Sequence, residues 1–138
     1  MNMQAGGSPK PAPPETKLTR PYWDAAREGR LVLQCCSGCG TLRHYPRLLC
    51  STCYCAAVTW RDASGRGTVH SWTVAHHAFH AGFVPDLPYT LVTVDLQEGV
   101  RALGRWKGER PPAIGMPVSG AFETRADSVD LVFQARPA

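Results

Sequence analysis

Apolar and polar positions change rhythm twice along this chain. Residues 1–17 are rich in Gly, Pro, Ala and Lys, with prolines at 9, 11, 13 and 14. That composition cannot bury enough apolar surface to order itself, which predicts a flexible tail over residues 1–18. At Thr19-Arg20-Pro21 a capping-type residue precedes a proline at a first-turn position. Tyr22, Trp23, Ala26 and Arg27 follow, and Gly29 closes the segment. This reads as a short helix. Adjacent Tyr22 and Trp23 cannot share one helix face. Either both rings pack, or one packs while the other meets a ligand or partner.

The next rhythm is that of short strands. Residues 31–34 lead into a cysteine pair, 42–45 return from it, and 58–60 leave a second pair. From Gly65 onward the texture is β throughout. Strands are expected at 67–76, 89–96, 100–106, 116–124 and 129–134, with a hairpin turn at Glu98-Gly99 and one helical turn at 111–114. Five strands with glycine-marked bends and one long connection suit a small closed barrel of the OB type, which leaves no exposed edges. The expected fold class is mainly β, with an N-terminal helix and a cysteine-bearing ribbon together over residues 19–60 and a five-stranded OB-fold barrel over residues 61–138.

The ribbon rests on Cys36-Ser-Gly-Cys39, a ten-residue loop, and Cys50-Ser-Thr-Cys53. Two cysteines so spaced sit on one tight turn with both thiolates aimed at one ion, and two such turns complete tetrahedral coordination. With four thiolates no position stays open for water, so the site is structural and not hydrolytic. Cys36, Cys39, Cys50 and Cys53 are therefore the expected ligands of one zinc ion. Gly40 suits the first turn, whereas Tyr54 stands where a glycine would be easier. Cys35 and Cys55 allow other registers, but C-x-x-x-C and C-x-C close less well on one ion, and both are read as spectators.

Charge narrows the choice of partners. The formal balance is +4, from 15 basic and 11 acidic residues, with lysine only at Lys10, Lys17 and Lys107. That is low for a protein that lives on nucleic acid. No run of about 18 apolar residues predicts a membrane span. Without the apolar core of a signal peptide the expected setting is the reducing cytoplasm, which agrees with zinc thiolates over disulfides.

An ordered set of motifs now stands out: Tyr22-Trp23, residues 29–34, Cys36-x-x-Cys39-Gly40, Pro46-Arg47, Cys50-x-x-Cys53, Gly65-Arg-Gly-Thr-Val69, Ser71-Trp-Thr-Val74 and Gly115-Met-Pro-Val118. Together they resemble domain of unknown function family 35, whose members pair a rubredoxin-like zinc ribbon with an OB-fold. The resemblance runs from Tyr22 to about Arg136, and Cys35 and Tyr54 are its departures. It implies a non-catalytic subunit that binds CoA or acyl-CoA. The implied partner is a thiolase- or aldolase-type enzyme, or a MaoC-type hydratase-like one.

Candidate contacts for such a ligand fall in two groups. Trp72, His76, His77, Phe79 and His80, with Phe83 beyond them, place aromatic and imidazole groups at a strand end running into a loop. Imidazoles can donate to a thioester carbonyl or a phosphate, and the same stretch also reads as a partner-facing or ordinary loop. Arg66, Arg101 and Arg105 are the candidate phosphate forks. Alternation places Arg101 and Arg105 on one strand face around Leu103, which equally suits a solvated edge. Asp86 and Asp95 read as isolated turn and barrel acids. No nucleophile elbow, phosphate-cradling glycine loop or paired carboxylates occur, so autonomous catalysis is not expected. The competing readings are a single-stranded nucleic-acid module stacking bases on Trp72, Phe79 and Trp106, and a scaffold subunit that never touches CoA.

Overall fold

Phe133 is completely buried, and the larger lobe is built around it. A Cβ at Gly104 or Gly120 would stand 2.7 or 2.8 Å from its ring, so two strands approach the ring only because they carry no side chain there. The computed structural model describes residues 9–125 and 128–137. Five of its strands close into this barrel: β4 (Arg66–Ala75), β5 (Tyr89–Leu96), β6 (Arg101–Trp106), β7 (Pro117–Arg125) and β8 (Ser128–Ala135), in the order β4-β5-β6-β8-β7. All pairs are antiparallel except β6 with β8, which run parallel at Arg105–Val132 and Trp106–Phe133. Val69, Val92, Val94, Leu96, Ala102 and Val118 fill the interior with Phe133, as period-2 alternation requires.

The smaller lobe precedes it. Helix α1 (Arg20–Arg27) leads to an antiparallel sheet of β1 (Val32–Cys36), β2 (Leu42–Arg43) and β3 (Val58–Asp62), ordered β2-β1-β3. Tyr22, Ala25 and Ala26 are the buried residues of α1, and Tyr22 joins the same core cluster as Phe133. Trp23 packs edge-on against Tyr22 at 4.9 Å and is only partly buried. Of two adjacent rings, then, Tyr22 enters the core and Trp23 packs against that core while staying partly exposed. Tyr45 ties the lobes together: its hydroxyl accepts from the Leu103 amide at 3.0 Å, on the edge of β6 that does not face β5.

Strand β4 runs beyond the barrel. Its pairing with β7 covers only residues 66–68, and a bulge falls between Val69 and Ser71 in its pairing with β5. A bulge bends and twists a strand. Past it Trp72 and Val74 pair with β5 on one side alone and are 41% and 37% exposed.

Two local expectations are corrected. No helical turn forms at 111–114; instead Met116 donates to the Ala113 carbonyl at 3.0 Å, a β-turn with Gly115 at φ +85°. Pro112 pushes the residue before it, Pro111, away from helical backbone angles. Thr19 stands at the N-cap without capping; its hydroxyl accepts from the Thr16 amide at 3.0 Å. Of the expected flexible tail, residues 1–8 lie outside the described residues, while residues 9–18 lie against the protein. Lys10 pairs with Asp86 at 3.1 Å, Arg125 donates to the Pro11 carbonyl at 3.0 Å, and Glu15 pairs with Arg27. An extended proline-rich segment makes no internal hydrogen bonds, so a few polar anchors are enough to hold it.

Candidate metal centre and ligand surfaces

The two cysteine turns are near copies of one another. Gly40 donates to the Cys36 carbonyl at 2.8 Å and Tyr54 to the Cys50 carbonyl at 2.9 Å. Both residues then take a left-handed conformation, with φ of 78° and 64°. The amides of Gly38 and Thr52 each donate 3.3 Å to the first sulfur of their turn. As a result the Sγ atoms of Cys36, Cys39, Cys50 and Cys53 all lie within 4.8 Å of one another. Cys36–Cys53 and Cys39–Cys50 stand 3.5 and 3.6 Å apart. A zinc–sulfur bond of about 2.3 Å gives a tetrahedral edge near 3.8 Å, so the donor set fits a tetrathiolate zinc site.

The acid–base behaviour of the cluster makes the same point. Backbone donors, Cys53 first and Thr52 next, bring the Cys50 thiol down to about 6. The Cys39 amide lowers Cys36 likewise. At Cys53 the Cys55 amide pulls downward, yet the neighbouring thiols of Cys36, Cys39 and Cys50 together with burial push the group up to about 12. Four sulfurs this close cannot all ionise unless a cation joins them. Cys35 is buried and turned toward the Gly40 carbonyl at 3.6 Å, and Cys55 stands outside the cluster. Among the described residues no other group of His, Cys, Asp or Glu gathers at metal-binding distance.

The residues singled out as ligand contacts are not brought into one place. Trp72 lies on the free stretch of β4, and His76, His77, Phe79 and His80 follow it, all exposed. His77 meets Phe79 edge-on at 4.7 Å. The His80 Nδ1 accepts from the Gly82 amide at 2.9 Å and so starts the 3₁₀ turn Ala81–Asp86. Arg66 stands at the opposite end of β4, about 30 Å away by strand rise. Arg101 holds Asp95 at 2.6 Å, with His70 on the other carboxylate oxygen at 3.2 Å. Arg105 holds Asp86 at 2.9 Å and stacks 4.3 Å from the Tyr89 ring centre. Asp86 and Asp95 are therefore counter-ions. At Asp86 burial pushes the carboxyl upward, but Arg105 and Lys10 bring it below its ordinary value; Arg101 does the same at Asp95.

A groove that the sequence reading did not find lies between the lobes. Trp23, Tyr45, Phe83, Tyr89, Leu91 and Leu103 are among the residues that line a cavity of about 310 Å³, with Arg105, Arg125 and Asp130 also on its wall. Its one legible signal is alternation: with Val92, Val94, Ala102 and Gly104 buried, Leu91 and Leu103 point outward, where a solvated strand would carry polar groups.

Comparison with known proteins follows the same division into lobes. The model of the ChsH2 rubredoxin-like zinc ribbon domain matches residues 23–58, and that of the ChsH2 C-terminal OB-fold domain matches residues 60–123. A probable enoyl-CoA hydratase alpha subunit of Thermomonospora curvata is 38% identical over 122 residues, covering 83% of this chain and 37% of that protein. The 3-oxo-4,17-pregnadiene-20-carboxyl-CoA hydratase alpha subunit of Mycobacterium tuberculosis is 35% identical over 123 residues, covering 80% and 35%. The chain thus spans little more than a third of the length of these two relatives. Among solved structures, a chain of the Ltp2-ChsH2(DUF35) aldolase superposes with a TM-score of 0.80 at 34% identity, covering 89% of this chain and 98% of that one.

Proposed function

Because this chain belongs to the DUF35 family, in its ChsH2 type of zinc ribbon followed by OB-fold, we propose that it is a non-catalytic, acyl-CoA-binding accessory subunit of an enzyme that acts on acyl-CoA substrates. The observation that carries this reading is the likeness, over 98% of its length, to a chain taken from an aldolase assembly. Two relatives named as hydratase alpha subunits support it. The partner is of the aldolase or thiolase type, or of the MaoC-type hydratase class.

The chemistry of the chain agrees. Its four clustered thiols are ligands for one structural zinc. Large apolar side chains remain uncovered: Phe79 is 96% exposed, Ile114 76% and Leu48 70%. A partner that covered these side chains would remove their apolar surface from water. For the CoA moiety, Trp72, His76, His77, Phe79 and His80 offer a face for the pantetheine or acyl part. Arg66 has no carboxylate partner among the described residues and is the readiest phosphate ligand; at Arg101 and Arg105 a phosphate must compete with Asp95 and Asp86. The reducing cytoplasm is the setting that keeps such a thiolate site intact.

The test is capture of the tagged chain from its native cell extract with mass spectrometry of what accompanies it. Recovery of an aldolase-, thiolase- or hydratase-type protein is the expected result, and Phe79→Ser should weaken capture at least about tenfold. If the chain instead brings down nucleic acid, and binds single-stranded oligonucleotide with strong salt dependence, the accessory-subunit reading fails.

A further inference from the structure

Residues 9–15 run beside the groove between the lobes, and their contacts fall on its lining or on residues next to it. Pro13 forms part of the cavity wall itself. Lys10 reaches Asp86, which Arg105 already holds from the other side. The Pro11 carbonyl accepts from Arg125, another lining residue, and Glu15 pairs with Arg27 of α1. At Gly82 the segment passes so close that an added Cβ would stand 2.7 Å from the Pro9 carbonyl oxygen and 2.8 Å from the Lys10 backbone.

We propose that this segment is a lid over a binding site for an uncharged apolar group, a flat ring system or a branched acyl chain. The cavity of about 310 Å³ lies at the lower end of the range for small-molecule sites. Its walls are aromatic and aliphatic, and its charged rim is already balanced: Arg105 by Asp86 and Arg125 by Asp130 at 2.7 Å. With no net charge facing inward, an ionic ligand gains nothing there, while an apolar one exchanges water for Trp23, Tyr89, Leu91 and Leu103. The lid is tied by the half-buried pair Lys10–Asp86, the more exposed pair Glu15–Arg27 and one hydrogen bond to a carbonyl; none of these is a barrel ladder bond, so it opens without disturbing the barrel. The site does not depend on the acyl-CoA reading, and that reading stands or falls on other residues.

The lid has its own test, because the atoms nearest an added Cβ at Gly82 all belong to it. Gly82→Ala should therefore expel residues 9–15 and leave the groove intact; Lys10→Glu should do so by repulsion from Asp86. The probe is N-phenyl-1-naphthylamine, a neutral apolar fluorophore, titrated against the full-length chain and each variant. Both variants should bind at least threefold tighter than the parent, and a synthetic peptide of residues 9–15 added in excess should compete. Leu103→Glu should abolish binding in parent and variants alike; its backbone contact with Tyr45 does not involve the side chain. Equal affinity in the parent and in either folded lid variant overturns the lid. Binding that survives Leu103→Glu overturns the site.

Discussion

Tyr54 carries a cost that its counterpart Gly40 does not. Its φ of 64° places a Cβ-bearing residue in the left-handed region, at about 1–2 kcal/mol, and the ring is 75% exposed and contributes little packing in return. Tyr54→Gly should raise stability by up to about 1 kcal/mol, after allowing for the extra freedom glycine gives the unfolded chain. A denaturation midpoint that falls would show the ring to be packed. The sequence made this strain legible, since the two cysteine turns could be laid side by side. It also made the four ligands legible, because C-x-x-C spacing is a local fact. The partners of the arginines were not: that Arg105 meets Asp86, and Arg101 meets Asp95 across a hairpin, depends on strand register and on where a loop returns.

Among elements, the ribbon depends most on its metal. Sheet β2-β1-β3 has one strand of two residues and a core too small to stand alone, so the ion supplies much of its folding free energy. Metal analysis should find about one zinc per chain. A strong chelator, or Cys50→Ser, should expose the amides of residues 32–62 to rapid hydrogen exchange. The barrel strands should stay protected, because their ladders close on themselves around Phe133 and its valines, even though Tyr22 and Leu31 of the smaller lobe join that core. Unchanged exchange in the ribbon would mean the cysteines are not its scaffold. The strands themselves were largely visible as alternation and β-branched texture, with ends displaced by one or two residues. The turn at 113–116 was not, since prolines followed by a glycine suit a helical turn and a β-turn alike until the restriction that Pro112 places on Pro111 is considered.

At the level of the whole molecule, His44 reports on the joint between lobes. It lies 5.6 Å from Tyr22 and 3.9 Å from Tyr45, ring centre to ring centre. Burial lowers its pKa to about 4, against about 6.5 in an unfolded chain. On acidification the unfolded state therefore takes up the proton first. The contribution is complete above pH 6.5 and is lost as the pH falls toward 4. Between pH 7 and pH 5 this should remove about 2 kcal/mol. His44→Phe should flatten that part of the profile in urea titrations; an unchanged slope would mean that the imidazole is hydrated. The joint was the least legible part of the chain, because no one stretch contains it. Trp23, Tyr45, Leu91 and Leu103 are far apart in sequence and meet only when helix, ribbon and barrel dock.

That dispersal has an evolutionary consequence. Each wall of the groove comes from a different piece of chain, and neither the buried valines around Phe133 nor the four cysteines contribute to it. A substitution at Leu91 or Pro13 reshapes one wall and leaves the valines around Phe133 and the four cysteines untouched. Related chains can therefore diverge in what the groove admits, one wall at a time, while the barrel and ribbon stay constant.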